Sequence, residues 1–527
     1  MRAGAANCCN ACPPTCAPNW RVCWKRRWLK IEPAQALPCP SHKTQAAFML
    51  APYPSLDMPE TLSRHWRAFG PPWTRFPMTP TFALLPLCLA GTAALAAPAL
   101  DDAVRQRAEE LTRTGVHASI VIAVIDGKHS AVYGFGSVHA GKNIKPGADT
   151  VYQIGSVTKT MTALLLADAV AENKVKLDEP VATLLPGYTV PAFDGKKISL
   201  LDLATHYSSL PRLPDNFAPK DPANPYADYT EARQRQFLAA YHLPHAPGTK
   251  FDYSNIGYAV LGTALAAQAG SSYEALLQKR IAVPLGMRST SNQPTHGMLA
   301  RLAPGHLLSG ELTPAWDLNV VAPAGGVYSS ARDMVAYLQA YMFKPLRPYA
   351  LAIKPQRPLA PDGDTKIGLS WLLEQQQGRS YAWHSGQTGG YASYAAFTTD
   401  GKRGVMVLTN TARDVDALGL STLLPGTPLP PLKKPQAAIE VPRAALAEYV
   451  GEYPLDKDFT LTVTLGKQGL EAAGTGMGSA PLFASAKDQF FFRAIDADLA
   501  FTRDAAGKVA SAVLKQGGQD VVLPRKP

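Results

Sequence analysis

The sequence predicts an α+β fold: one antiparallel sheet built from both ends of the main region and flanked by helices, an all-helical subdomain, and a small β domain at the C-terminal end. Three observations lead there. Apolar, β-branched runs lie early and late in the main region, its middle reads as helices, and a proline-rich stretch sets off a tail of short strand-like segments.

Length and composition set the frame. A chain of 527 residues is too long for one ordinary domain, and about two to four are expected. With 46% hydrophobic and 18% charged residues, it carries enough apolar material for a sizeable core. The formal net charge of +11 resembles a nucleic-acid signal until it is located. Residues 1–77 hold 10 Lys/Arg against 3 Asp/Glu, while the remaining 450 residues hold 42 against 38. A nucleic-acid face concentrates charge on a folded element, so no nucleic-acid partner is expected.

Residues 1–77 read as a poorly structured extension, rich in Trp and Pro and without helical or strand period. All seven cysteines (Cys8, Cys9, Cys12, Cys16, Cys23, Cys39, Cys88) precede residue 89. Their ragged spacing, with no histidine near the first cluster, argues against a zinc knot. A thiol-free remainder suits an oxidising compartment. Residues 78–97 resemble a signal peptide: Leu84–Ala97 is an apolar core and Ala94-Leu95-Ala96 fits a small-x-small cleavage site. A start at Met58 supplies the positive flank, through Arg64, Arg67 and Arg75. The expectation is an exported, periplasmic or secreted protein with no stable membrane span after processing, the stretch being short and broken by Pro80 and Pro86.

The folded part is expected over 101–424. Asp102–Thr114 reads as an amphipathic helix, and Ser119–Ile125 with Ala131–Phe135 as a hairpin turning at Asp126-Gly127. Thr158–Ala171 is an apolar helix ending near Asn173; further helices fit Glu231–Tyr241, Ile256–Ala269 and Ala331–Met342. Strands at Ser393–Phe397 and Gly404–Thr409 flank Asp400-Gly401. Residues 425–442 form a proline-rich linker. Beyond it, 443–527 reads as the small β domain, with strands at Tyr449–Tyr453, Thr460–Leu465, Gly469–Ala472, Gln489–Arg493 and Val521–Leu523.

Three short segments can carry chemistry, and each sits at an element boundary. In Gly155-Ser156-Val157-Thr158-Lys159, Ser156 stands where the run Val151–Ile154 meets the apolar helix. Free backbone N–H groups and the positive end of the helix dipole lie there. Lys159 follows on the same face, one turn on, where an ammonium stabilises an alkoxide or an amine takes its proton. An S-x-x-K arises by chance roughly once or twice in a chain this long, so the tetrad has little weight alone. Tyr253-Ser254-Asn255 precedes another apolar helix. A tyrosine beside a lysine can ionise low enough to act as a base, and an asparagine offers donor and acceptor to an amide. Taken alone, it reads as a packing tyrosine and a turn asparagine. His384-Ser385-Gly386-Gln387 closes the set, its glycine allowing a ligand to approach strand backbone.

In this order, the three segments resemble the serine β-lactamase/penicillin-binding-protein-like family, in the branch with tyrosine in the second motif: class C β-lactamases, D-alanyl-D-alanine carboxypeptidases and allied esterases. Leu200–His206, Pro247–Asn255 and Pro323–Asp333 also look like that family's landmarks, so the resemblance spans about residues 101–420. It implies an acyl-enzyme: Ser156 as nucleophile, Lys159 and Tyr253 moving the proton, and the N–H groups of Ser156 and Gln387 as oxyanion hole. Asn255, His384, Ser385, Gly386 and Gln387 are implied to bind substrate, and no metal or cofactor is called for. His242 and His245 form a close pair without further ligands.

Two departures bear on substrate. His384 stands where most β-lactamases of this family carry lysine, and the loop landmark reads His206-Tyr207-Ser208-Ser209-Leu210-Pro211. The second of these alters a loop and is expected to leave the chemistry untouched. With the extra β domain, the first ranks a penicillin-binding, D-alanyl peptide carboxypeptidase/endopeptidase first, a class C-like β-lactamase second and an esterase third. A sensor that binds β-lactams or peptidoglycan fragments without turnover is the reading from another class; the joint presence of Ser156, Lys159, Tyr253 and Asn255 argues against it. The expected partners are a D-alanyl peptide or β-lactam as substrate and peptidoglycan as a contact.

Overall fold

The structure is a computed structural model that describes residues 97–526, except 140–141, 309, 345, 361–362, 432–435, 437, 456–458, 467–468, 476–478, 493–496 and 517–518. The expectations for residues 1–77, for the cysteines and for the signal-like segment up to Ala96 lie outside the described residues.

The main region is built on an eight-stranded antiparallel sheet. Its strands are β1 (Ser119–Asp126), β2 (His129–Gly136), β5 (Arg357–Pro358), β6 (Lys366–Ile367), β7 (Leu372–Gln376), β8 (Arg379–Gln387), β9 (Ala392–Thr398) and β10 (Arg403–Thr409). The order is β2-β1-β10-β9-β8-β7-β6-β5, so the early hairpin docks on the late strands, Ile122 opposite Val407. β1 is an unbroken apolar run because both of its faces are covered. Val121, Ala123 and Ile125 enter one core, while Ile120, Ile122 and Val124 enter another. The second core is closed by α1 (Asp102–Arg113) and α8 (Asp416–Leu423) through Val104, Ala108 and Leu418. Between β1 and β2 the register runs Asp126 opposite His129. Gly127, at φ +53°, occupies the left-handed conformation that so tight a turn demands.

The larger core holds the helices between the two halves of the sheet: α2 (Thr158–Ala171), α3 (Leu200–Ala204), α4 (Glu231–Ala240), α5 (Asn255–Gln268), α6 (Ala331–Phe343) and α7 (Arg347–Ile353). α2 is buried along nearly all of its length, as befits a central core helix rather than an amphipathic one. Asn173, at φ +57°, ends it. Two short strands, β3 (Val151–Gln153) and β4 (Tyr328–Ser330), pair antiparallel and pin the entrance of α2 to the segment before α6.

The C-terminal region is an eight-stranded antiparallel meander of β11 (Gly451–Pro454), β12 (Thr460–Leu465), β13 (Leu470–Gly474), β14 (Ala480–Ala486), β15 (Gln489–Phe492), β16 (Ala497–Arg503), β17 (Val509–Gln516) and β18 (Gln519–Pro524). The Lys526 N–H donates to Glu452 O at 2.8 Å, returning the end of the chain to the first strand. Tyr449, Tyr453, Phe490 and Phe501 pack at its centre. The sequence shows no strand signal at β14, β16 and β17. These segments are rich in alanine, and alternating burial of such small side chains leaves a weak period-two pattern. The end of the proline-rich stretch belongs with this domain, since the Ile439 N–H donates to Ala484 O at 2.8 Å.

Candidate active site

Ser156 sits in a single 3-10 turn, Gly155–Val157, that leads directly into α2. Gly155 has φ +50°, and a Cβ there would lie 2.5 Å from the Gln387 nitrogen. A Cβ on Gly386 would lie 2.1 Å from Ile154 O and 2.8 Å from the Ser156 nitrogen. The first and third segments are therefore pressed together backbone against backbone, a contact only glycine permits. The ladder fixes the direction of the Gln387 N–H. Thr388 N donates to Tyr391 O at 2.9 Å, so Gln387, opposite Ala392, falls at a position whose N–H turns away from β9. It turns toward Ser156. The N–H of Ser156, at a helix entrance, has no carbonyl a turn earlier to receive it. Two donors thus converge beside one hydroxyl. The Gln387 side chain points elsewhere, its Nε2 donating to Ala412 O at 2.7 Å.

Lys159 is fully buried although it carries an ammonium group. Its Nζ donates to Ser156 Oγ at 3.0 Å, to Asn255 Oδ1 at 2.8 Å and to Ala324 O at 2.6 Å. This lattice of acceptors offsets the desolvation of the charge. It also gives Asn255 a direction. With Oδ1 held by the lysine, the NH₂ group is turned to the cleft, where among the described residues it meets no partner. Ala324 belongs to the Pro323–Asp333 segment, whose place at the site the sequence did not reveal.

Tyr253 neighbours both Ser156 and Lys159. Burial pushes its phenol up, but the charges of Lys159 and Arg212 and the hydrogen bonds to Ser156 and Lys159 outweigh it and hold the group below the ordinary tyrosine value. Lys159 Nζ stands 4.9 Å from the ring centroid and Arg212 Cζ 5.3 Å from it. His206 stacks on the same ring at 4.3 Å and 29°. Its Nδ1 accepts from Ser254 N at 3.0 Å, and its carbonyl accepts from Asp252 N at 2.8 Å. Burial, followed by the charges of Lys159, His384 and Arg212, keeps this imidazole well below its usual range, hence neutral. Ser254 Oγ donates to Pro211 O at 2.7 Å and Asn255 N to Arg212 O at 3.1 Å. Residues 206–212, expected from the sequence to be an altered loop that leaves the chemistry untouched, are thus bound at both ends to the segment that carries Tyr253.

The third segment lines the opposite wall on β8. His384 is 5% exposed, and its Nδ1 lies 2.7 Å from the Ser385 carbonyl, which can only accept, so Nδ1 carries the proton. Ser385 is nearly buried and Gly386 meets Ser156 as described. The His242/His245 pair is not drawn in: His245 Nε2 is bound to Asp252 at 2.6 Å. Among the described residues no group of three or more His, Cys, Asp or Glu is placed to hold a metal ion. No helix among them is long and apolar enough to cross a membrane.

Comparison with known proteins follows the same division of the chain. Residues 100–423 match the family described as Beta-lactamase, and residues 435–523 match a domain of unknown function, DUF3471. The D-alanyl-D-alanine-carboxypeptidase/endopeptidase AmpH of Escherichia coli (strain K12) is 31% identical over 242 residues, 46% of this chain and 62% of that protein. This chain therefore spans less than two thirds of that relative's length. Among solved structures, a Beta-lactamase/D-alanine Carboxypeptidase from Yersinia pestis, complexed with citrate, superimposes with a TM-score of 0.53 at 27% identity, covering 59% of this chain and 92% of that one. An octameric penicillin-binding protein homologue from Pyrococcus abyssi, at 22% identity and a TM-score of 0.55, shares the fold over 81% of this chain and 98% of its own.

Proposed function

The chain belongs to the beta-lactamase family, and from that premise we propose that it is an exported serine hydrolase that cleaves D-alanyl peptides of cell-wall type through an acyl-enzyme on Ser156. The observation that carries the reading is the meeting of three distant segments on one hydroxyl: Lys159 Nζ at 3.0 Å from Ser156 Oγ, Tyr253 beside both, and the Gln387 nitrogen pressed against Gly155.

In this mechanism the Tyr253 phenolate takes the Ser156 proton as Oγ attacks the substrate carbonyl carbon. The oxyanion that forms lies between the N–H groups of Ser156 and Gln387, donors whose positions are set before substrate arrives. Lys159 keeps its charge beside the phenol, and the phenol returns the proton to the leaving amine. The Asn255 NH₂ donates to the substrate's amide carbonyl. His384 and Ser385 face the carboxylate end, and water resolves the ester. His384, in place of the lysine that most β-lactamases of this family carry, together with the extra β domain, ranks the peptide ahead of the lactam. The relative named as a carboxypeptidase/endopeptidase points the same way. Class C-like β-lactam hydrolysis is the second reading, since the same ester forms from a β-lactam and only its lifetime differs; esterase action ranks third. Export and contact with peptidoglycan are part of the proposal.

Mass spectrometry after exposure to penicillin tests it. A lasting adduct on Ser156, together with release of D-alanine from a pentapeptide, is the expected result. Rapid release of hydrolysed drug with no action on peptide transfers the chain to the second reading. Ser156→Ala removes one small side chain at a cleft edge, so the melting temperature holds while hydrolysis is lost; activity within a few-fold of wild type refutes Ser156 as nucleophile.

A further inference from the structure

We propose that Arg212 is a positioning residue for acylation: its guanidinium, set over the Tyr253 ring, favours the form of that phenol that takes up the Ser156 proton. The inference rests on the reading of Tyr253 as the group that receives the Ser156 proton.

Arg212 is partly exposed at the end of the loop that wraps Tyr253. Its Cζ lies 5.3 Å from the ring centroid. Its backbone is tied to the second motif by the Asn255 N–H at 3.1 Å, and Ser254 is bound to the preceding Pro211. The guanidinium is thus delivered by the same hydrogen bonds that shape the motif. Among the described residues no carboxylate forms an ion pair with it, and its nearest aromatic face is that of Tyr253. An arginine kept without an acid beside a phenol has its charge to spend on the ring. A cation over an aromatic face is attracted to the ring's negative quadrupole, and more strongly once the ring carries a phenolate.

The other charged and titratable neighbours leave this task to two groups. Lys159 acts from α2, at 4.9 Å from the ring centroid. His206 stacks on the ring but is held neutral. Tyr258, from α5, is kept protonated by burial and donates to Ala204 O at 2.6 Å. Asp252, next in the chain, is engaged by His245 and Lys250. His384 acts on His206 from β8 and is hydrogen-bonded within its own strand. Lys159 and Arg212 are the fixed charges that oppose the burial of the phenol.

The sign follows directly. If Arg212 favours the phenolate, its loss raises the pH at which Tyr253 becomes a base, and the ascending limb of the rate moves up. The test compares Arg212→Gln and Arg212→Lys by kcat/KM against pH on two substrates: the neutral ester p-nitrophenyl acetate and a D-alanyl-D-alanine peptide with a free carboxylate. Timed acylation of Ser156 by penicillin reads the same limb whether or not the enzyme turns over. Expected for Arg212→Gln is a limb raised by about one pH unit, about tenfold slower reaction at pH 7 on both substrates, convergence on wild type at high pH, and recovery of most of the loss in Arg212→Lys. An unmoved limb overturns the inference. So does a loss confined to the carboxylate-bearing peptide, which makes Arg212 a reader of substrate charge, or a uniform loss at every pH with lowered melting, which makes it structural. Failure of the proposed function looks different: wild type that reacts with ester and penicillin but ignores D-alanyl peptide sinks the substrate and leaves the limb to be read. A Tyr253→Phe variant with an unchanged profile removes the base, and Arg212's role with it.

Discussion

Gly386→Ala isolates the backbone's share of the chemistry, because it adds one methyl group and touches no charge. The added Cβ would sit 2.1 Å from Ile154 O and 2.8 Å from the Ser156 nitrogen. Relief to an ordinary contact requires β8 and the Ser156 turn to separate by about 1 Å. Both are held: Ser393 Oγ on the neighbouring strand donates to Ile154 O at 2.8 Å, and Ile154 N donates to Val327 O at 3.0 Å. The separation therefore opens the gap between the N–H groups of Ser156 and Gln387, and an oxyanion can reach one of them but not both. Loss of one such donor costs about 10²- to 10³-fold in kcat, or about 2.7–4 kcal/mol. The assay is kcat/KM for Gly386→Ala on a chromogenic ester and on penicillin acylation, with circular dichroism and a melting curve to establish that the sheet still forms. Retention of the melting curve with activity within threefold of wild type would refute the oxyanion site deduced from the ladder. A Gly386→Ala variant that melts about 1–3 kcal/mol lower yet keeps its rate per folded molecule refutes it equally, since the overpacking would then have been absorbed elsewhere.

Two further outcomes follow from buried polar groups away from the nucleophile. Asp202 caps α3 through Ser199 N at 2.8 Å and binds Arg357 at 2.7 Å while almost fully buried, so Asp202→Ala leaves an unpaired guanidinium and lowers stability by about 2–4 kcal/mol in urea unfolding. His117, paired with Thr409 Oγ1 at 3.0 Å, is lowered to about 3, chiefly by burial and then by Arg413, so it binds a proton in the unfolded chain from about pH 6.5 downward but not in the folded one. Its contribution is present above pH 6.5 and drains away toward pH 3, by at most about 4–5 kcal/mol, and a His117→Gln variant should show a flatter stability curve over that window.

Legibility in the sequence followed the strength of the physical signal. α2 is readable to the residue because fourteen positions without a breaker lie between a glycine turn and Asn173. β1 and β10 are readable because their centres, 120–125 and 405–408, are buried on both faces and carry only apolar side chains. The strands β5 to β7 at one end of the sheet were not, since short segments such as Leu-Leu-Glu-Gln-Gln pair through their backbones and only partly bury their side chains. At the site, Ser156, Lys159, Tyr253 and Asn255 could be named because each stands in a short motif at an element boundary. Ala324 could not be, because it acts through a carbonyl, and any residue type at that position has one. Arg212 escaped for another reason. A lone arginine in a loop is ordinary until the fold sets it over a phenol.

The same distinction explains why the third segment is harder to read than the first two. Ser156 and Lys159 are related by helix geometry, a turn apart on α2, so their spacing in the chain already implies their meeting. His384 to Gln387 reach Ser156 only through the register of β8 on β9, and a one-residue slip would turn the Gln387 N–H into the sheet and present its neighbours instead. That register is held far from the cleft, by the pairing of Tyr381 with Thr398 and of Ala382 with Phe397, and by Trp371 and Phe397 packed at 83° behind the strand. The two N–H groups proposed to hold the oxyanion thus depend on the sheet as a whole. Substitutions in its core that leave every motif residue intact can disarm the serine, whereas substitutions on the exposed rim of the helical region cannot reach it.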